Sequence, residues 1–190
     1  MNKRPIILGV LGIVALAQLG VPVSMIVGHE LVLARGEVFK FRTAPVDPYD
    51  AFRGRYVALS VRPTEVEVAP GVELREHRAA YVLLDRDKDG FARFAGASEA
   101  RPKQGPYMKV EVGSHLRTGV YYVIVPFDRY YMEEGEAPAA EQAYREHSRG
   151  KTHDAYVTVR VLYGMAVLEE LYVDDKPIRE FLREQAKGGK

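Results

Sequence analysis

The chain has 190 residues, which is room for one domain of ordinary size. Hydrophobic residues make up 47% of it and charged residues 28%, so a packed core is expected and wholesale disorder is excluded. The net charge of +1 gives no basic footprint, so we expect no nucleic-acid partner. The absence of cysteine excludes disulfides, thiolate metal sites and a cysteine nucleophile.

The N-terminus carries the clearest signal in the sequence. Lys3 and Arg4 precede residues 5–28, a predominantly apolar stretch without a single charged residue. A helix needs roughly 20 residues to cross the hydrocarbon core of a bilayer. The pattern predicts a transmembrane helix within residues 1–28 that acts as an uncleaved signal anchor. The alternative is a signal peptide cleaved after Ala15-Leu16-Ala17, a small-x-small site.

The charges that flank this segment do not determine its orientation, because Arg35, Lys40 and Arg42 follow it closely. A very short basic tail followed at once by an apolar span is, however, the usual form of a signal anchor. We therefore expect a single-pass protein of the cell membrane, with residues 29–190 outside the cytoplasm as one cell-envelope domain.

Most of the remaining sequence has the pattern of short strands. Residues 108–112 and 157–163 alternate apolar and polar side chains, which predicts half-buried strands. Residues 120–125 have no polar face, which predicts a central strand covered on both sides. Further strand candidates are residues 31–42, 55–62, 79–85, 91–95 and 165–173.

Turn and helix signals complete the predicted fold. Gly164 is expected to join two strands as a hairpin. A short amphipathic helix is predicted over residues 139–147, and a last helix from Pro177, capped by Asp174 or Asp175. The predicted fold is mainly β, a β-rich α+β class: an N-terminal transmembrane helix followed by one antiparallel β domain with one or two short helices.

Residues 29–61 contain a set of motifs in a characteristic order. These are Pro45-Val46-Asp47-Pro48, then Arg53-Gly54, then Tyr56 and Leu59. With these motifs the chain resembles the GDYXXLXY protein family, a bacterial family named for its motif. Two motif positions differ here, since the acidic second residue is Arg55 and the final tyrosine is Val61. Residues 130–136 and 171–174 are also similar to the family.

The resemblance implies a membrane-anchored, mostly β extracytoplasmic domain whose function is not established. Such proteins are commonly encoded beside multi-pass membrane proteins, which suggests a complex with one of them. The first hypothesis is therefore a binding or assembly module that works with a neighbouring integral membrane protein. The sequence contains no complete catalytic constellation and no glycine-rich phosphate loop, so we expect neither enzymatic activity nor a cofactor.

The motif also has a physical interpretation that needs no ligand. On a strand, Val57, Leu59 and Val61 share one face, whereas Tyr56, Ala58 and Ser60 share the other. The first set is apolar and is expected to face the core. Core and turn roles would then explain this segment.

Seven residues are the candidates for contacts with a ligand or partner. They are Asp47, Arg53, Gly54, Tyr56, Tyr130, Tyr131 and Glu134. An alternative function uses them as an envelope hydrolase or small-ligand binder, in which the Arg53–Tyr56 region and Glu134 would converge in a cleft.

One acidic stretch has the composition of half a calcium site. Asp85, Asp87 and Asp89 alternate as in the first half of a calcium-binding loop. The twelfth position, which needs a bidentate acid, is Gly96. A β-hairpin turn is the simpler interpretation, so calcium is a weak alternative and no metal site is predicted.

Overall fold

The computed structural model describes residues 4–44, 56–148 and 154–188. These residues form three helices and twelve strands. The helices are α1 (Arg4–Arg35), α2 (Ala137–Ser148) and α3 (Ile178–Gly188). The strands are β1 (Glu37–Ala44), β2 (Tyr56–Ala58), β3 (Ser60–Arg62), β4 (Glu65–Glu67), β5 (Ala79–Arg86), β6 (Ala92–Ser98), β7 (Tyr107–Arg117), β8 (Val120–Ile124), β9 (Arg129–Tyr131), β10 (Ala155–Leu162), β11 (Met165–Val173) and β12 (Lys176–Pro177).

Helix α1 is 32 residues long, which corresponds to about 48 Å. All side chains of residues 11–27 are exposed, and the large apolar ones are between 46% and 72% exposed. The segment Leu11–Arg35 is long and apolar enough to cross a membrane. Its apolar surface surrounds the helix. A helix that packs on a core has its apolar side chains confined to one stripe.

The last turns of α1 pack on the β domain. Val32 is only 1% exposed, and the amide of Gly36 donates to the Val32 carbonyl at 2.7 Å. β1 begins at the next residue, Glu37, so the strand predicted from residue 31 is wrong for residues 31–35. Their apolar residues continue the helix, because a short apolar run does not distinguish helix from strand.

In the described residues the first five-stranded sheet has the order β12-β11-β10-β1-β3, with antiparallel neighbours throughout. β10 and β11 form the predicted hairpin, and its turn residues Tyr163 and Gly164 have φ values of 51° and 88°. Positive φ at both positions is the signature of the two-residue hairpin turn whose twist matches the strands. The β10–β11 hairpin is confirmed.

The second five-stranded sheet of the described chain has the order β4-β8-β7-β5-β6, and β2 and β9 form a separate pair. The prediction that residues 120–125 are covered on both sides is wrong. Tyr122 and Ile124 on the outer face of β8 are 38% and 45% exposed. An antiparallel sheet can leave one face open, and here β8 presents apolar side chains on that face.

One hydrophobic core unites the two sheets with α2 and α3. Phe39 and Phe41 enter it from β1, Met108 from β7, Tyr144 from α2 and Ile178 from α3, each no more than 1% exposed. The β-rich α+β prediction is confirmed, and α2 contains the helix predicted over residues 139–147.

The predicted start of the last helix is wrong in detail. Asp174 and Asp175 have φ values of 52° and 57° and form the turn between β11 and β12. Pro177 pairs with Tyr172, and α3 begins at Ile178. The two acids therefore act as hairpin-turn residues, which tolerate positive φ, and do not cap α3.

Candidate functional site

The motif segment (residues 56–61) is built as predicted. Val57, Leu59 and Val61 are 0%, 6% and 4% exposed. β2 pairs with β9, and β3 pairs with β1, so the chain passes from one sheet to another at Leu59. The Leu59 amide donates to the Asp128 carbonyl at 2.8 Å. The alternation of inward and outward side chains therefore continues from β2 into β3. The inward face of the motif segment is structural.

The sequence-predicted site residues are only partly described. Asp47, Arg53 and Gly54 lie outside the described residues. Glu134 lies in the turn that leads from β9 into α2, where the Glu133 carbonyl accepts from the Glu136 amide at 3.0 Å. Convergence of Arg53 with Glu134 therefore stays a prediction.

The two neighbouring tyrosines of β9 point to opposite sides. Tyr130 is 7% exposed, and its hydroxyl donates to Glu170 Oε1 at 2.6 Å. Burial and this carboxylate raise the pKa of Tyr130 well above its usual range. Tyr131 is 65% exposed. The structure thus assigns Tyr130 to packing between β9 and β11, and leaves Tyr131 on the surface.

Tyr131 belongs to a small surface cluster with Tyr56 and Arg129. The Tyr56 and Tyr131 ring centroids are 5.7 Å apart, and the guanidinium of Arg129 lies 5.1 Å from the Tyr56 centroid. A side-chain hydrogen bond with Tyr131, together with nearby Asp128, raises the pKa of Arg129. Aromatic faces and a cation together can bind a planar or anionic group.

The acidic stretch forms the turn between β5 and β6, and arginines bind its carboxylates. Arg42 contacts Asp87 Oδ2 at 2.5 Å and Asp89 Oδ2 at 3.0 Å, and Arg93 contacts Asp85 Oδ2 at 2.5 Å. The hydrogen bond from Arg42 lowers the pKa of Asp87. Because Arg42 lies on β1, its two ion pairs join the first sheet to the β5–β6 turn of the second sheet, whereas the Arg93–Asp85 pair lies within the second sheet. In the described ranges, no group of three or more His, Asp or Glu side chains is placed to hold a metal ion.

An apolar groove beside the β10–β11 turn is the feature that sequence reasoning missed. Its volume is about 470 Å³, and its lining consists of His77, Ala79, Lys109, Val110, Glu111, Ile124, Val125, Pro126, Gly164, Met165 and Ala166. The signal was present in residues 120–125, whose lack of a polar face predicted a covering layer. In the structure Ile124 and Val125, at the end of this run, line the groove instead.

A basic cleft lies on the other side of the same turn. Its volume is about 670 Å³, and Arg35, Arg101 and Lys103 line it together with Tyr107 and Tyr163. Arg101 donates to the Tyr107 hydroxyl, and its guanidinium lies 5.5 Å from the centroid of that ring. The lining also contains Glu37, but its carboxylate is bound by Arg86 at 2.8 Å. The cleft therefore presents an excess of positive charge.

Comparison with known proteins identifies the family to which the chain belongs. No curated protein and no solved structure matches the chain. The model of the GDYXXLXY protein family matches residues 18–171, which is most of the chain and includes the later half of α1, the motif segment and the β10–β11 hairpin. The chain therefore belongs to the GDYXXLXY protein family.

Proposed function

We propose that α1 anchors this protein in a bacterial cell membrane with its β domain outside the cytoplasm, where the domain is a binding or assembly module for a neighbouring integral membrane protein. The observation that carries the anchor is the contrast along α1. Residues 11–27 expose apolar side chains all round, whereas Val32 is buried on the domain. Such a surface is stable in lipid, where helical backbone groups are satisfied internally.

Alkaline extraction of membranes and protease accessibility of intact cells test the anchor and its orientation. The full chain should stay with the membrane pellet at high pH, and protease added outside should digest residues 29–190 without lysis. The matched control replaces Leu16 and Leu19 by arginine. Each arginine at a helix centre costs about 2.5–3.5 kcal/mol for insertion, so this variant should become extractable. Release of the wild-type chain into the soluble fraction, or a mature N-terminus at Gln18, would contradict the anchor.

The apolar groove supports the second half of the proposal. It opens next to Gly164 and Met165, and Met165 lies beside α1, since a Cβ at Gly28 would be 3.7 Å from its Cε. An apolar recess at this position is within reach of a protein embedded in the same bilayer. Protein interfaces combine an apolar core with polar groups, and here the groove adds His77, Lys109 and Glu111 to its apolar lining.

A photo-crosslinking amino acid at Ile124 tests the groove. Ile124 lines it and is 45% exposed, so the replacement is expected to leave the fold intact. The matched control is Val72, an apolar residue that is 37% exposed outside the groove lining. In native membranes we expect one integral membrane protein to be crosslinked from position 124 and not from position 72. Equal labelling from both positions, or none from 124, would overturn the assignment of the groove.

The Tyr56–Tyr131–Arg129 cluster favours a second candidate, a small-ligand binder or hydrolase that also uses Arg53 and Glu134. Its test is single replacement, Glu134→Gln and Tyr131→Ala, in the full chain. Loss of an activity or of ligand binding with an unchanged unfolding transition would support this candidate. Loss of the folded state instead would favour a scaffold role for these residues.

A further inference from the structure

We infer that the end of the β10–β11 hairpin, residues 163–165, is a second membrane contact that inserts into the interfacial layer of the bilayer beside α1. This inference rests on the proposed anchor and adds to it a contact made by the folded domain itself.

The hairpin runs alongside the last turns of α1, towards the membrane. A Cβ at Gly36 would lie 3.0 Å from the Cβ of Arg160, which places this part of β10 at the end of α1. From Gly36 back to Gly28 the helix descends about 12 Å. From Arg160 to Gly164 a strand advances about 13 Å. The two lengths agree with the contact between Gly28 and Met165, so the hairpin end lies at the level of Gly28.

Gly28 marks the level at which the bilayer surface is expected. It is the last residue of the uncharged stretch, and the next residues, His29 and Glu30, are exposed. The stretch from residue 5 to residue 28 corresponds to about 36 Å of helix, slightly more than the roughly 30 Å hydrocarbon core. A body docked at Gly28 therefore touches the headgroup region.

The side chains at this level have the chemistry of that region. Tyr163 is 74% exposed, Met165 45% and Leu31 40%. Tyrosine is enriched at membrane interfaces, because its ring is apolar and its hydroxyl is polar. A two-residue turn of this type favours asparagine, aspartate or glycine at the position of Tyr163, so local turn chemistry does not account for the tyrosine.

The charges around the turn fit the same occupant. The basic cleft beside Tyr163 contains Arg35, Arg101 and Lys103. Anionic headgroups attract basic side chains near the surface by about 1 kcal/mol each. The occupant that meets an exposed tyrosine, apolar neighbours and the cations of the adjoining cleft is a phosphate-bearing lipid surface.

The sequence offers a direct test, since it contains no tryptophan. Tyr163→Trp gives the full chain a single tryptophan at the hairpin end, and Tyr131→Trp is the matched control. Tyr131 is also a largely exposed tyrosine, at 65%. The bond from Tyr130 to Glu170 places β9 about 17 Å further along β11 than Met165. Both variants are reconstituted in vesicles with lipids brominated near the headgroup, and flotation verifies anchoring in each sample.

We expect strong quenching and a blue-shifted emission for the tryptophan at position 163, and an unquenched, water-like emission at position 131. Protein that floats with the vesicles while the tryptophan at 163 remains unquenched would overturn the hairpin contact and leave the anchor intact. A blue shift without quenching by lipid would equally overturn it, because the tyrosine would then face protein. Failure to float would overturn the anchor and the inference together.

Discussion

The motif segment and the β10–β11 hairpin end place similar residue types in opposite settings. In the motif segment, Val57 and Leu59 are buried, and the neighbouring Tyr130 is bound internally to Glu170. At the hairpin end, Tyr163 and Met165 are exposed although they are large and partly apolar. The comparison separates residues that the fold itself requires from residues that the fold leaves available for contact. It indicates that the inward face of the motif segment forms part of the core, whereas the proposed membrane contact lies elsewhere.

The largest expected effect is in the motif segment. Leu59→Ala should lower the free energy of unfolding by about 2–5 kcal/mol, because it opens a cavity where the chain passes between sheets. Urea unfolding of the full chain in detergent, followed by circular dichroism, measures this. A loss below 1 kcal/mol would show that Leu59 is not part of the tightly packed core.

A pair of glycine replacements sharpens the comparison at the hairpin end. Gly71 and Gly164 both have positive φ, 82° and 88°. A Cβ at Gly71 meets nothing within 4 Å, but one at Gly164 would lie 2.9 Å from Tyr107 Cε2. Gly71→Ala should therefore cost only the backbone strain, about 1–2 kcal/mol, and Gly164→Ala about 2–4 kcal/mol. Equal losses in urea unfolding would argue against a close approach of the hairpin turn to β7.

The two tyrosines of β9 test the difference between buried and exposed residues through the removal of one hydroxyl oxygen each. Tyr130→Phe removes a hydrogen bond to the Glu170 carboxylate and should cost about 1.5 kcal/mol. Tyr131→Phe removes an exposed hydroxyl and should change stability by no more than about 0.5 kcal/mol. Urea unfolding of the two variants in parallel measures both losses. A larger loss for Tyr131→Phe than for Tyr130→Phe would contradict the assignment of Tyr130 to the packed interior.

Stability at alkaline pH tests Tyr156, which is buried at the end of the β10–β11 hairpin away from its turn. Burial, with a hydrogen bond to Asp175, raises the pKa of Tyr156 from 10.0 to about 12. Between these values the unfolded chain loses the proton and the folded chain retains it, so stability falls as pH rises from about 10 to about 12. The slope of stability against pH should be smaller in Tyr156→Phe. An identical slope in both proteins would remove Tyr156 as a contributor.

The smallest expected effect on the free energy of unfolding is at Tyr163, the exposed tyrosine of the hairpin end. Tyr163→Ser should alter the free energy of unfolding by no more than about 0.5 kcal/mol, since the side chain is 74% exposed. Thermal unfolding in detergent measures this without a bilayer. A loss above 1 kcal/mol would mean that Tyr163 supports the fold and is not reserved for an outside contact.

Local patterns were sufficient to predict most of the elements. Alternation located β7 and β10, and the apolar N-terminus located α1. The predicted end of α1 is wrong because Val32 is buried by tertiary contact with the β domain. Sequence periodicity carries no information about such a contact. Asp174 and Asp175 were misassigned because the same residue types favour helix caps and tight turns.

The candidate site was less predictable for a similar reason. The groove and the basic cleft combine residues from distant segments, such as Ile124 with Met165 and Arg35 with Lys103. The pairing of β7 with the hairpin turn, through the bond from the Lys109 amide to the Gly164 carbonyl at 2.9 Å, and the packing of α1 on β10 bring such segments together. The uninterrupted apolar run of residues 120–125 predicted a strand covered on both sides, whereas the structure leaves Tyr122 and Ile124 exposed.

The junction between helix and sheet has a mechanical consequence. Gly36 alone separates α1 from β1, and a Cβ there would be 3.1 Å from the Val161 backbone nitrogen. With the junction this tightly packed, we expect the β domain to turn together with α1. Spanning helices change their tilt with bilayer thickness. If α1 spans a bilayer as proposed, any such tilt would turn the whole β domain with it, so that the lipid environment would set the direction in which the far surface of the domain points.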